Sequence, residues 1–558
     1  MLIGLDVGGT HTDSVLIGKE GILAQAKVPT NHEDLLESVI AGIRAVIGGT
    51  DAAAVTRVNL STTLSTNAIV EGKAEKVGVV VTAGAGIDPR GFSTGDHFAF
   101  VPGSIDHRGT QTAMLDEKSL DAAAKAFRKA GLRVYAAVGK FSTRNITHEN
   151  AIRDALAAQS DFTTAGHLLS GRLNFPRRIA TAYYNSAVWR RYTQFADAVE
   201  EGVRALGIRA ALCVLKADGG TMPLALSRSL PVETILSGPA ASVMGIVALC
   251  RPAEDSVLLD IGGTTTDIAV FAAGDPLIEP DGISLDGRPT LVRALRTRSI
   301  GVGGDSALEV RDGAVLVGPV RRGFSMADGG AHPTLTDACN VGGFSSYGGT
   351  DRSAKGIGEL AKRHGMKPAE LANAAVETAV ASIRGQVEAL VSQVNERPVY
   401  TIHEMIEGKR IEPRTVYVVG GPARTFAPLI EKAMGVKTVL PNHHGVANAV
   451  GAGLARTTMY IELLADTEQR RLIIPDLNVA REITPGYALA DAEKDAKRYL
   501  LDHMRAQQVT DVDISAEVVE SSVFHMVRGF TATGKNIRVR CQVKPGVLEE
   551  FAGAVAGQ

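Results

Sequence analysis

Apolar residues fall in short unbroken runs separated by glycine-rich turns. Residues 257–260 (VLLD) and 268–271 (IAVF) are two such runs, too short for helices, and Gly262-Gly263 between them supplies a turn with φ freedom. Two strands joined by a tight Gly-Thr turn are therefore expected. The chain opens on the same pattern: residues 3–17 read IGLDVGGTHTDSVLI, and D-V-G-G-T-H-T-D from Asp6 to Asp13 aligns without a gap on D-I-G-G-T-T-T-D from Asp260 to Asp267. Further apolar strands are predicted at 77–82, 134–138, 211–215 and 415–419.

Helical spacing is seen in Leu35, Leu36, Val39, Ile40 and Ile43, after a capping-box-like Thr30-Asn31-His32-Glu33. It recurs at 118–130, 177–206 and 371–390. In 232–245, Gly238, Ala240, Ala241 and Gly245 would permit close helix approach, and 448–454 (NAVGAGL) is a second small-residue helix. Beyond about residue 465 the pattern changes to an amphipathic helix at 491–509 and two alternating strands, 519–527 and 537–543, joined through 531–535. The reading is α/β: two similar lobes, 1–170 and 171–460, each offering a hairpin to one cleft, and a small α+β appendage, 461–558.

In a Gly-Gly-Thr turn, backbone N–H groups and the hydroxyls of Thr264, Thr265 and Thr266 can point at one anion, while Asp260 and Asp267 at the flanks suit a hydrated divalent cation. That is chemistry for a magnesium nucleotide. Residues 58–71 add a dense polar group, Ser61, Thr62, Thr63, Ser65, Thr66 and Asn67, which reads either as a Ser/Thr-rich helix cap or as a loop lining the cleft. A further glycine-rich turn at 299–305, holding Gly303, Gly304 and Asp305, can approach phosphate or substrate. Gly420-Gly421 after a strand lets the backbone lie against adenine or ribose, although by itself it is an ordinary strand-to-helix turn.

At 558 residues the chain exceeds one hydrophobic core. Its 45% hydrophobic content and 60 glycines suit a well-packed α/β protein, and a net charge of −2 with mixed signs excludes a basic nucleic-acid face. Four dispersed cysteines indicate neither a zinc site nor a disulfide framework. With no signal-peptide pattern and no run long enough to span a bilayer, the cytoplasm is the expected compartment.

Together these segments resemble the actin-like (ribonuclease H-like) ATPase superfamily, and within it the A-type subunit of the hydantoinase/oxoprolinase family. The residues that carry the likeness are GLDVGGTHTD, STTLSTNAIVEGK, LKADGGTMPLALSRSLPVETILSGPAASVMG, LLDIGGTTTDIAVF, SIGVGGDS, VVGGPA and HHGVANAVGAG, spread in order over most of residues 1–455. The resemblance implies an ATP-dependent hydrolase subunit that phosphorylates the carbonyl of a hydantoin, 5-oxoproline or lactam to drive ring opening. It implies Mg2+ held through water by Asp6 and Asp260, and phosphates held by Gly8, Gly9, Thr10, His11, Thr12, Gly262, Gly263, Thr264, Thr265, Gly303 and Gly304. Gly420, Gly421 and Pro422 would flank adenosine.

Asp13 and Asp267 join Asp6 and Asp260 as candidate catalytic carboxylates, and Thr62, Thr63, Thr66, Asn67 and Asp305 are the candidate substrate contacts. A B-type hydantoinase subunit is the implied partner, with a homo-oligomer open. Two departures stand out: residues 325–338 read SMADGGAHPTLTDA where many relatives carry G-P-A-C-Y-G before P-T-V-T-D-A, and Ser237-Gly238 stand where the chaperones place a water-orienting Glu. The remaining function classes are a ketone carboxylase component, a small-molecule kinase and a nucleotide-dependent interaction protein.

Overall fold

Leu2–Val7 (β1) is buried end to end and pairs antiparallel with His11–Gly18 (β2), which pairs with Gly21–Pro29 (β3). On its other edge β1 takes Arg57–Thr62 (β4) in parallel, and β4 takes Ala211–Leu215 in parallel, with Thr221–Pro223 closing the sheet. The second half repeats this order. Ser256–Ile261 pairs antiparallel with Thr266–Ala272, which carries Asp275–Pro276, while Thr415–Val419 and then Lys437–Val439 add in parallel on the other side. In both lobes the spatial order is third, second, first, fourth, fifth strand, as expected of two actin-like lobes. The computed structural model describes residues 1–31, 33–279, 281–396, 410–509, 511 and 514–556.

The unbroken apolar runs are explained by burial on both faces. Leu35–Ile47 and Phe175–Ala205 cover the outer face of the first sheet, and Pro368–Asn395 with Ala423–Met434 covers that of the second. Between the sheets lie Ser237–Cys250 and Ala447–Leu454, packed on Leu2, Val15 and Ile17 from one side and Leu258, Ala269 and Phe271 from the other. These two helices cross at backbone distance. A Cβ on Gly245 would lie 2.1 Å from the Ala447 carbonyl oxygen, one on Gly451 1.9 Å from that of Ala241, and one on Gly4 2.2 Å from that of Ala449. Gly245 thus has the role expected of it, whereas Gly238 faces Thr63 and not the crossing.

Between β4 and Ala211–Leu215 the chain builds a separate four-stranded parallel sheet, ordered Phe162–Ala165, Val134–Gly139, Gly78–Thr82, His97–Phe100. Residues beyond 170 therefore still feed the first sheet, because the long helix Phe175–Ala205 returns the chain to it. The helix expected after Thr30 begins at Leu35 with Asp34 as its cap, whose side chain accepts the Glu37 N–H at 3.1 Å; His32 lies outside the described residues.

The C-terminal sheet has five strands in the order Val479–Glu482, Arg471–Ile474, Tyr460–Asp466, Thr531–Gln542, Glu517–Arg528, backed by the helix Leu489–Ala506. After it the chain turns back: Val547 bridges Ala455, and Glu549–Ala556 enters the shared core between the lobes. Asp476 helps dock this sheet, accepting the backbone N–H groups of Gly171 at 2.8 Å and Glu462 at 2.9 Å. Burial pushes its carboxyl from 3.8 up to about 7, against the pull of the Glu462 N–H. Between those values the folded protein holds a proton that the unfolded chain releases, so stability falls as pH rises through that window. Asp476→Asn is expected to flatten part of that slope in thermal melts taken between pH 5 and 8.

Candidate active site

The two hairpins are built alike down to the bond that closes each turn. The Gly8 N–H donates to His11 O at 3.1 Å, and the Gly262 N–H to Thr265 O at 2.9 Å. The glycines were expected to supply unusual φ, but none of Gly8, Gly9, Gly262 and Gly263 has φ in the left-handed region. What they supply is bareness: a Cβ on Gly263 would lie 3.0 Å from Asp305 Oδ2 and 3.5 Å from Thr10 Oγ1. The tip of one lobe's hairpin therefore faces the tip of the other's.

Strand register then sets out the charges. Asp6 lies opposite Asp13, and Asp13 opposite Lys27, while Asp6 is beside Ser61 on β4. Residues so paired share a face of the sheet. The row in the second lobe is Asp260, opposite Asp267, itself opposite Ser299 of Thr297–Ile300, with Val419 beside Asp260.

Both rows open on one cavity of about 480 Å³ between the lobes. Its walls include Asp6, Gly8, Gly9, Thr10, His11, Asp13, Asp260, Gly262, Gly263, Thr264, Thr265, Gly304, Asp305, Gly420, Gly421 and Pro422, all singled out from the sequence. Gly420 has φ of +96°, and a Cβ there would lie 2.2 Å from Ile261 O, so only glycine fits; at Gly421 nothing lies within 4 Å.

Six of the remaining candidates are occupied elsewhere, and Asp267 also lies away from the wall. Thr12 is fully buried on the opposite face of β2 from Asp13, with its hydroxyl 3.0 Å from that of Thr30. Gly303 is packed under the second hairpin, 2.7 Å from Gly262 O at its Cβ position. Asp267 lies one strand away from Asp260. In the 58–71 stretch, Thr66 Oγ1 accepts the Leu236 N–H at 3.1 Å, Thr62 Oγ1 accepts the Leu64 N–H at 3.2 Å, and the Thr62 backbone carbonyl accepts from Ser237 Oγ at 3.0 Å. Asn67 donates to Thr63 Oγ1 at 3.3 Å, and Thr63 Oγ1 lies 3.5 Å from Val7 O. These serve the helix-cap reading of that stretch.

Sequence reading missed several wall residues: Lys27, Asn448, His444, Thr425 and Phe426. Thr336, Cys339, Ser345 and Tyr347 are also on the wall. Asn448 donates to Asp6 Oδ2 at 2.6 Å, and Ser242 donates to Asp260 Oδ2. Asp305 is held by Arg321 at 3.0 Å, and Asp13 by Lys27 at 2.6 Å. Pairing of β3 with β2 would have placed Lys27 beside Asp13, but that register becomes countable only once the β2–β3 turn is located.

Burial dominates the titration of these groups. It pushes Asp6 up to about 7, opposed by Ser61 and reinforced by the charges of Asp13 and Asp260. Asp267 reaches about 7 by burial and the nearby Asp260. Asp13, Asp260 and Asp305 are raised by burial and pulled back chiefly by Lys27, Ser242 and Arg321. Burial lowers His11, which the Lys27 charge lowers further. A donor such as Asn448 favours the ionised form of its carboxylate. Asn448→Ala is accordingly expected to cost about 2 kcal/mol at pH 8, where Asp6 is ionised, and less at pH 6, read from urea unfolding.

The hydantoinase/oxoprolinase family matches residues 178–460, over half of the chain, and the hydantoinase/oxoprolinase N-terminal region matches residues 2–159. The chain is 27% identical over 483 residues to the caprolactamase subunit alpha of Pseudomonas jessenii, covering 78% of this chain and 68% of that one. It is 24% identical to the 5-oxoprolinase PfmaA of Pestalotiopsis fici over 59% of its own length but only 30% of the relative's. Among solved structures, nucleotide-free acetone carboxylase superposes with a TM-score of 0.73 at 16% identity, and the ATP-dependent caprolactamase of Pseudomonas jessenii with 0.70 at 18%. Each covers 97% of this chain, and 87% of the other chain is matched; likeness at this identity bears on fold alone. With both halves matched in order and their paired hairpins closing on one cavity, this chain belongs to the hydantoinase/oxoprolinase family.

Proposed function

We propose that this chain is the ATP-using subunit of a cyclic amide hydrolase. The observation that carries the reading is the meeting of both Gly-Gly-Thr hairpins, with Asp6 and Asp260, in one cavity closed by Gly420-Gly421. An unstrained amide resists hydrolysis because its carbonyl is a poor electrophile. Transfer of the γ-phosphoryl to the carbonyl oxygen releases ADP and leaves an imidate-like phosphate whose carbon accepts water. The C–N bond then breaks, the ring nitrogen leaves as an amine, and a second water releases phosphate from the acyl phosphate. Positioning and charge stabilisation supply most of the catalysis.

In this reading Gly9, Thr10, Gly263, Thr264 and Thr265 hold phosphates, and the wall formed by Gly420, Gly421 and Pro422 holds adenosine. Asp13 and Asp305 are the carboxylates placed to orient substrate or water. Asp6 Oδ1 is buried, belongs to a residue of the cavity wall and has no hydrogen-bond partner among the described residues. That suits contact with the water shell of Mg2+. Mg2+ so held would neutralise charge on the phosphates.

The reading assigns residues 1–170 and 171–460 to the two nucleotide-gripping lobes, with Ala211–Leu215 and Thr221–Pro223 of the second range completing the first sheet, and 461–558 mainly to an appendage. It includes a B-type partner subunit for the hydrolytic step and a cytoplasmic setting; no described helix is long and apolar enough to cross a membrane. The test is to incubate the full chain with Mg-ATP and caprolactam, 5-oxoproline or hydantoins, with and without a B-type subunit, and to follow ADP. The expected result is amide-dependent ADP release with an amino acid product. Nucleotide turnover indifferent to every cyclic amide but stimulated by a ketone and bicarbonate, with AMP formed, would replace this reading with the carboxylase one.

A further inference from the structure

We propose that Lys27 is the catalytic cation of this site, donating its ammonium N–H groups to the phosphoryl group in transfer, with Asp13 positioning it. The inference rests on reading the cavity as an ATP site, and begins from the charges around it. Asp6, Asp13, Asp260 and Asp305 line the walls, and Lys27 is the one lysine or arginine among the described residues that does so. A triphosphate adds several negative charges to this excess. One hydrated divalent cation leaves much of that charge uncompensated, and a fixed ammonium is the complement this chain supplies.

Its placement is specific. Register sets Asp6, Asp13 and Lys27 side by side across three strands, running outward from the cavity floor. Asp13 is only 4% exposed, while the Lys27 side chain is 39% exposed and its Nζ lies 2.6 Å from Asp13 Oδ1. An ammonium has three N–H donors in fixed directions about the nitrogen. Contact with Asp13 can occupy one of them, and because Lys27 itself lines the cavity the others are available to a group bound there.

The second lobe sharpens the assignment. Its row has the same two aspartates, yet Ser299 stands in register where the first lobe has Lys27. The duplicated frame therefore carries its cation on one side only, next to the Gly8–His11 turn. A lysine needed merely to neutralise a buried hairpin aspartate would be required in both rows, and Asp267 is accommodated without one.

The experiment compares wild type with Lys27→Met, Lys27→Arg, Asp13→Asn and the double variant Lys27→Met/Asp13→Asn, all as full chains. Affinity for ADP and for the β,γ-imido analogue of ATP is measured by calorimetry, and single-turnover ADP formation by quenching. Lys27→Met is expected to leave ADP affinity within about twofold, to weaken the imido analogue about tenfold or more, and to slow ADP formation about 10²–10³-fold. Lys27→Arg is expected to retain more of the rate than Lys27→Met, since it keeps the charge but changes its geometry.

The double variant removes the buried carboxylate's need for a counter-charge, so a purely structural role predicts that it recovers to the rate of Asp13→Asn alone, which serves as its reference. The proposal predicts that it stays about tenfold or more slower than Asp13→Asn. Recovery of the double variant, or parallel loss of both nucleotides in Lys27→Met, would overturn the inference while leaving the ATP site intact. Failure of the wild-type chain to bind either nucleotide would overturn both readings.

Discussion

Asp6→Asn is expected to cut ATP turnover about a thousandfold and, in the same protein, to raise the melting temperature at pH 8. The two effects share one cause. Burial holds the Asp6 carboxyl near 7 where an exposed one titrates at 3.8. Below the lower value both folded and unfolded chains are protonated; between the two the folded chain alone keeps the proton, and its advantage shrinks steadily as pH rises. Above about 7 the protein carries a desolvated anion that the unfolded chain would solvate. Asn removes that charge while keeping an acceptor for the Asn448 amide, which lies 2.6 Å from Asp6 Oδ2.

Melts at pH 5, 6.5 and 8 should therefore show a smaller loss with pH in the variant than in the wild type. Turnover measured by ADP release should collapse at every pH. A variant that melted higher but kept turnover within tenfold would show that the buried charge is not used on the nucleotide.

Gly451→Ala should be the most damaging single methyl in the shared core, costing about 3 kcal/mol or more in urea unfolding. The added carbon would sit 1.9 Å from Ala241 O and 2.3 Å from the Gly245 nitrogen, both backbone atoms of the facing helix. No rotamer change relieves such a clash, so the helices must separate along with the lobes they join. Gly553→Ala is the matched control: it lies in the helix Glu549–Ala556 with nothing within 4 Å of its Cβ position. There the same methyl should stabilise by about 0.5–1 kcal/mol, because helix propensity is the term that changes.

Local chemistry made the hairpins legible: a short apolar strand, Gly-Gly-Thr and a flanking Asp, twice at one spacing. Residues 448–454 and 232–245 announced close packing by composition, and Gly245 sits at the crossing. What stayed hidden depends on distant partners. Thr66 looked like a cleft residue because its polarity is visible in the sequence, whereas the Leu236 N–H that occupies it is 170 residues away. Thr12 shares a motif with Thr10, but Thr10 is in the turn while Thr12 is inside β2 on the face opposite Asp13, so motif membership alone did not place it. Asn448 lay unread within a small-residue helix, since its partner Asp6 is 442 residues distant. The return of Glu549–Ala556 to the central core had no marker of its own, because amphipathic packing does not name the surface it meets.

The four-stranded parallel sheet is tied to the rest of the protein at more than one place. The chain departs after Thr62, at one end of β4, and re-enters at Ala211, beside Arg57 at the other end of the same strand, so the two points of attachment are about 17 Å apart. The 31-residue helix Phe175–Ala205, about 46 Å long, carries the chain back across that distance. Because Arg108 also meets Asp466 of the C-terminal sheet at 2.8 Å and Ile146 packs on Leu464 and Ile473, the inserted unit is clamped at its far side as well, while the ladder that pairs Asp6 with Ser61 runs on uninterrupted.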